Sequence, residues 1–225
     1  MVETDQKVTL LGPVKVKAHD LDDILTLAPF VVAADGGAAQ ALDKGLIPKA
    51  VLGDLDSLPQ SARAALPPEI VFQIDEQDST DFEKCLARIE APMILCLGFA
   101  GGRIDHELAV YSALVKHPQT KCIVVGDHDI VFAAPPDMSL DLPVGARVSL
   151  FPMRRVQGAS RGLRWPIAGL GFAPDRKIGT SNEATGAVNL QFERPGMLVI
   201  LARDHLAAAM AALSLSPRWP ASSPD

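Results

Sequence analysis

Residues 29–45, PFVVAADGGAAQALDKG, decide how this chain is read. The run Phe30–Ala34 is apolar throughout, the pattern of a strand covered on both faces rather than one that alternates. Asp35 ends the run, and Gly36-Gly37 supply a turn without side chains. Ala38, Ala41 and Leu42 then fall at helical spacing, and Gly45 is placed to stop the helix. Strand, glycine turn and helix together make half of a βαβ unit.

The same alternation extends in both directions. Apolar runs at KVTLL (7–11), AVLGD (50–54), EIVFQID (69–75), PMILCLG (92–98) and TKCIVVG (120–126) predict further strands. Segments with helical spacing lie among them: Leu21, Ile24, Leu25 and Ala28; Phe82, Cys85, Leu86 and Ile89; Leu108, Tyr111, Leu114 and Val115. The expected fold class is therefore α/β, with an N-terminal, Rossmann-like domain built on a parallel sheet. The pattern changes at APPDMSLDLP (134–143), where three prolines read as a linker. Beyond it, ARVSLFPM (146–153), GLRWPI (162–167), AVNLQFE (187–193) and GMLVILA (196–202) read as short strands, with no helix before residue 204. These predict a smaller C-terminal antiparallel β-sandwich and a division into 1–137 and 138–225, with the closing PRWPASSPD frayed.

Composition narrows the function classes. The chain has 225 residues, 48% hydrophobic and 21% charged, which suits an ordinary globular protein with a sizeable core. A net charge of -6 and the lack of any Lys/Arg tract argue against a nucleic-acid partner. The opening MVETDQKVTLLG does not have the form of a signal peptide. No stretch approaches the roughly 20 apolar residues that span a membrane. Cys85, Cys96 and Cys122 are odd in number, scattered and without a CxxC, so they read as buried thiols of a cytoplasmic protein.

Ligands of a doubly wound sheet bind beyond the carboxyl ends of its strands. The polar residues there are Asp54, Asp56 and Ser57; Gln77, Asp78, Thr80 and Asp81; and Gly101-Gly102-Arg103 with Asp105-His106. Two carboxylates as close in sequence as Asp54 and Asp56 repel each other, and desolvation worsens the repulsion, so a cation is called for. Asp54, Asp56 and Asp81 offer the hard oxygen ligands that suit Mg²⁺ bridging a polyphosphate. Glycine turns admit phosphate oxygens to backbone N–H groups. Lys84 shares a helix face with Asp81 and, with Arg103, would neutralise a transferring phosphoryl group. Neither GxxxxGK[ST] nor GxGxxG occurs. By themselves these residues indicate a Mg²⁺-dependent enzyme of phosphate chemistry. Simpler roles stay open. Thr80 with Glu83 fits a capping box, Asp81 suits a first helical turn, and Arg103 and Asp105 can pair at the surface. GDHD (126–129) imitates GDLD (53–56), but the apolar runs flanking it make it a hairpin turn.

Five blocks in order, ADGGAAQAL, LGDLDS, DSTDFEKCL, LGFAGGRIDHELA and GTSNE, resemble the thiamin pyrophosphokinases over roughly residues 33 to 200. The resemblance implies transfer of a pyrophosphoryl group from ATP to the hydroxyl of thiamine, giving thiamine diphosphate and AMP. It implies Mg²⁺ on Asp54, Asp56 and Asp81, and an ATP side formed by Asp35, Gly36, Gln77, Thr80, Lys84, Arg103, Asp105 and His106. It also implies a homodimer whose thiamine site is completed by the partner's β domain, through Trp165 in GLRW and Ser181 and Asn182 in GTSNE. The chain departs from many relatives at Val110, where they carry Asn, which leaves nucleotide preference open. Two alternatives are a Mg²⁺-dependent nucleotide or diphosphate phosphohydrolase and a non-catalytic thiamine sensor. An acceptor pocket around Trp165 separates the enzyme from the first, and the intact metal set separates it from the second.

Overall fold

The computed structural model describes residues 1–220. Two compact units are found. One comprises Met1–Ala113 with Val124–Gly126, the other Leu114–Ile123 with Asp127 onward.

The first unit holds the strands β1 (Val2–Glu3), β2 (Val8–Leu11), β3 (Phe30–Ala34), β4 (Ala50–Gly53), β5 (Val71–Gln73), β6 (Ile89–Glu90) and β7 (Ile94–Leu97). Its helices are α1 (Ala18–Leu27), α2 (Gly37–Asp43), α3 (Gln60–Ala65) and α4 (Asp81–Leu86), and α5 (Ile104–Lys116) begins here. Strands pair in parallel in the order β7-β2-β3-β4-β5. Uninterrupted apolar runs are what such strands need, and β2, β4 and β7 are buried along their whole length. Helix α2 packs on β2 and β3, and α4 packs on β3 and β4. Gly37 opens α2 so close to β2 that a Cβ would lie 2.1 Å from the Leu11 carbonyl oxygen, which explains the second glycine of the pair. Ala33, Ala38, Val51, Leu55, Leu58, Ala62 and Leu66 close one core over this corner.

Three elements differ from expectation. The run EIVFQID shrinks to three residues because Pro67 and Pro68 set a 3₁₀ turn over Pro68–Ile70 first. Ile89 leaves the helical stripe, since α4 ends at Leu86 and Ile89 pairs with Val2 in a separate two-stranded ladder. Helix α3 carries no apolar stripe, because Ala62 is its one buried residue.

The remaining strands are β8 (Cys122–Val125), β9 (Asp129–Ala133), β10 (Asp137–Leu140), β11 (Arg147–Pro152), β12 (Val156–Leu163), β13 (Gly171–Phe172), β14 (Gly179–Phe192) and β15 (Met197–Ala202), followed by α6 (Leu206–Leu215). The ladders among these later strands are antiparallel: β9 with β15, β15 with β11, and β14 with β10, β11 and β12. The fold is thus α/β with a large mixed sheet. It is not clearly a Rossmann-like parallel domain plus a sandwich. Strand β14 is 14 residues long and takes part in three ladders, which draws the antiparallel strands together.

The expected linker contains β10, whose Met138 and Leu140 are buried while Asp137 and Ser139 are exposed, a period-2 pattern hidden among prolines. The expected strand GLRWPI ends at Leu163, and Arg164–Ile167 leaves the ladder. Of the tail PRWPASSPD, residues 221–225 lie outside the described residues. Trp219 is not frayed: it is buried, and its Nε1 donates to the Ala134 carbonyl oxygen at 2.9 Å. All three cysteines are buried, and none forms a disulfide. Among the described residues no helix is long and apolar enough to cross a membrane.

Candidate active site

The carboxyl ends of β2, β3, β4 and β7 in the first unit, with the starts of α4 and α5, line a cleft of about 420 Å³. Its polar end is built from the LGDLDS and DSTDFEKCL blocks. Asp35 follows β3 with a left-handed φ of 42°. Its backbone N–H donates to the Leu52 carbonyl oxygen at 2.9 Å, and its Oδ2 accepts the Ser57 N–H at 3.2 Å. Its other oxygen, Oδ1, is buried and has no hydrogen-bond partner. Such an atom normally finds a partner. Gly53 faces it, and a Cβ there would come within 2.9 Å of the Asp35 Cβ and 3.2 Å of Asp81 Oδ1.

After Gly53 the chain separates its two aspartates. Leu55, at a φ of 67°, is buried in the core cluster. Asp54 Oδ2 accepts from Lys84 Nζ at 3.1 Å, whereas Asp56 is exposed and takes the Ser57 hydroxyl at 2.9 Å. Thr80 caps α4, its Oγ1 accepting the Glu83 N–H at 3.3 Å, as the capping box expects. That cap sets Asp81 on the first turn, where its Oδ1 accepts from Lys84 Nζ at 3.3 Å and from the Asp54 N–H at 3.4 Å. Lys84 itself is 2% exposed, an unusual degree of burial for a lysine.

One carboxylate oxygen from each of Asp35, Asp54 and Asp81 lies within 4.8 Å of the others. The sequence reading named Asp56 in this set; the geometry brings Asp35 to the group and leaves Asp56 outside it. Burial raises the pKa of Asp35, and the charge of Asp81 adds to the rise. Burial also works to raise Asp54, but the hydrogen bond and charge of Lys84 and the hydrogen bonds from Asp56 together outweigh it, and Asp54 sits below the usual carboxylate range. Burial works to lower Lys84, yet its bonds to Asp54 and Asp81 carry it above the ordinary lysine value. Three carboxylates this close, with one buried Asp35 oxygen left without a partner, fit a divalent cation of the Mg²⁺ type. Asp35, Asp54 and Asp81 would hold it.

The cleft's other end is apolar, with Pro13, Val14, Phe99 and Val110. Phe99 packs on Phe82 with ring centroids 4.8 Å apart. Sequence reading passed over Pro13 and Val14, although they follow the KVTLL strand and the strand-end rule reaches them. Arg103 and His106 line the cleft near the start of α5. Arg103 grips Asp105 through Nε at 3.1 Å and Nη2 at 2.6 Å, holding the Asp105 carboxyl down at about 2. Both are exposed, so this is the surface pair left open above. Gly36, Asp56, Gln77 and Asp105 do not line the cleft; Gln77 is exposed and donates to the Asp75 carbonyl oxygen at 3.4 Å.

The second unit carries the other three candidates. Trp165 is 54% exposed, and the Arg164 guanidinium stands 5.0 Å from its ring centroid. Ser181 takes a left-handed φ of 61°, and its N–H donates to the buried Ser149 Oγ at 3.0 Å. Asn182, buried, reaches the Trp165 backbone. Nothing in the sequence singled out Ser149, which sits inside an ordinary strand run.

Residues 21–125 match the family model described as thiamin pyrophosphokinase, catalytic domain. Thiamine pyrophosphokinase 1 of Oryza sativa subsp. japonica is 28% identical over 185 residues, which cover 67% of this chain and 70% of that one. Thiamin pyrophosphokinase 1 of Caenorhabditis elegans is 26% identical over 198 residues, covering 79% and 81%. In fold, the chain is similar to the solved thiamin pyrophosphokinase from Candida albicans, with a TM-score of 0.73 at 15% identity, covering 89% of this chain and 93% of that one. Thiamine pyrophosphokinase from Bacillus subtilis gives a TM-score of 0.69 at 21% identity, covering 88% and 98%.

Proposed function

From the premise that this chain is a relative of the thiamin pyrophosphokinases, we propose that it transfers the pyrophosphoryl group of ATP to the hydroxyl of thiamine, releasing AMP. The observation that carries the chemistry is the group of Asp35, Asp54 and Asp81 closed by the buried Lys84, with Asp35 Oδ1 left without a partner. Mg²⁺ bound there would offset the charge of the triphosphate and align it for in-line displacement.

The chain's own residues do the rest. Lys84 keeps two of the carboxylates together and adds a fixed positive charge beside the reacting phosphates. The Thr80 hydroxyl accepts from the Glu83 N–H, so its own proton is free to donate to a phosphate oxygen. Arg103 sits at the exposed rim, where it can meet the charge that accumulates on the leaving nucleotide. Val14, Phe99 and Val110 give the base an apolar wall.

Thiamine is cationic and aromatic, and the exposed indole of Trp165 suits it by stacking and cation–π attraction. Ser181 of the GTSNE block is a second residue on the thiamine side. In this reading residues 1–137 carry nucleotide and metal, residues 138–225 carry thiamine, and the thiamine side comes from the second copy of a homodimer. Three buried cysteines without a disulfide suit a cytoplasmic setting.

The test is a product assay with purified protein, ATP, thiamine and Mg²⁺, resolved by chromatography. AMP and thiamine diphosphate are expected in equal amounts and only with Mg²⁺ present. ADP or free phosphate without a thiamine ester would refute the transfer and favour a hydrolase. Stabilisation by thiamine without turnover would favour a sensor.

A further inference from the structure

The side-chain amide of Asn182 makes three hydrogen bonds, all to backbone. Its Oδ1 accepts the Trp165 N–H at 3.1 Å and the Glu183 N–H at 2.9 Å. Its Nδ2 donates to the Trp165 carbonyl oxygen at 2.7 Å. Both acceptor sites and one of two donor hydrogens are therefore used. Asn182 is also 7% exposed. It has little left to offer a ligand.

What the amide does instead follows from the ladder beside it. Strands β12 and β14 pair as far as Leu163 and Ala184, after a register shift at the left-handed Gly162. The Arg164 N–H adds one more bond, to the Glu183 carbonyl oxygen at 2.8 Å. At Trp165 the backbone partner runs out, because Arg164–Ile167 turns away from the strand. The Asn182 amide takes the place of a peptide unit there, with one acceptor and one donor aimed at Trp165. Two further contacts grip the same corner: Arg164 Nη1 pairs with Glu183 Oε2 at 3.2 Å, and its guanidinium covers the Trp165 ring at 5.0 Å.

We propose that Asn182 is a positioning residue: it extends the β12–β14 ladder through its side chain and so fixes the exposed indole of Trp165 for its aromatic, cationic substrate. This rests on the reading of Trp165 as the thiamine platform. An amide does this where serine or alanine does not, since only an amide carries acceptor and donor at peptide spacing. The effect reaches the reaction through Trp165 alone.

The experiment is a double-mutant cycle on the full chain, with Asn182→Ala, Trp165→Ala and both together, read as kcat and as KM for thiamine and ATP separately. Asn182→Ala is expected to raise KM for thiamine about tenfold or more while leaving KM for ATP within about twofold. In the Trp165→Ala background it should add nothing further, because the two act as one unit. Full additivity would overturn the proposal, since it would mean that Asn182 meets the ligand by itself. Tryptophan emission provides a readout that does not depend on thiamine. Trp219 is buried, so acrylamide quenching reports chiefly on Trp165. Asn182→Ala should raise quenching and lower anisotropy. Unchanged values would also overturn the proposal. If Trp165→Ala leaves KM for thiamine untouched, the thiamine reading of Trp165 fails, and the quenching result alone judges the positioning role. Asn182→Asp keeps both acceptor bonds and loses the donor, so it should fall between wild type and alanine; it carries the test if the alanine variant does not fold.

Discussion

Replacing Lys84 by methionine keeps the length of the buried stem and removes only the charge. Two charge-assisted bonds disappear, to Asp54 at 3.1 Å and Asp81 at 3.3 Å. Breaking a fully buried pair from one side costs about 3–5 kcal/mol. Here the acid partners are 21% and 31% exposed, and the lysine's own desolvation penalty vanishes with it. We therefore expect a loss of about 2–3 kcal/mol at neutral pH. The pH dependence has a definite sign. Asp54 has a folded pKa below 3.8, so its contribution is present above that value and lost as pH falls through the folded one. Lys84 has a folded pKa above 10.5, so its contribution is present below that value and lost as pH rises through the folded one. The deficit of Lys84→Met should be flat through neutrality and shrink on acidification below 3.8. Urea unfolding at neutral and acid pH, without divalent cations, measures it. A variant as stable as wild type at neutral pH, or a deficit that stays constant in acid, would refute the reasoning. Turnover should fall by about a hundredfold or more, as for loss of other fixed charges at a reacting centre.

Asp35 has a raised folded pKa, so its contribution is present below 3.8 and lost as pH rises through the folded value. Asp35→Asn should therefore melt higher than wild type at neutral pH without metal, and Mg²⁺ should no longer raise its Tm. Asp56→Asn should retain the Mg²⁺-induced rise, because Asp56 lies outside the carboxylate group; melting curves with and without Mg²⁺ compare the two. Gly37→Ala should cost about 3 kcal/mol in urea unfolding, since its Cβ would meet the Leu11 carbonyl oxygen at 2.1 Å and neither backbone can yield cheaply. Trp219→Ala should cost about 3 kcal/mol by the same measurement, from lost burial and the bond to Ala134.

Much of the first unit was legible because parallel strands are marked by composition alone. AVLG and ILCL are buried along their length, FVVAA from its second residue on, and the three contain almost nothing polar. The cap at Thr80 was legible because capping is local, set by residues three apart. Strand β10 was not legible, since its pairing with β14 joins residues some fifty positions apart, such as Asp137 and Gln191. Helix α3 was not legible because it buries one alanine. The same distinction holds in the cleft. Asp54, Asp81 and Lys84 were found from strand ends and helix spacing. Asp35 was placed near the nucleotide, but its membership of the carboxylate group depends on where β3 and β4 end side by side.

The sequence by itself determined that this is an α/β chain whose strand ends carry acids, glycines and cations, because burial and local backbone chemistry are written in runs of a few residues. Only the tertiary structure decided which acids stand together, since Leu55 anchors in the core and parts Asp54 from Asp56. It also decided that Asn182 is spent on the backbone of Trp165, 17 positions away. Through-space partners are set by strand register, and register is a property of the packed sheet rather than of any segment in it.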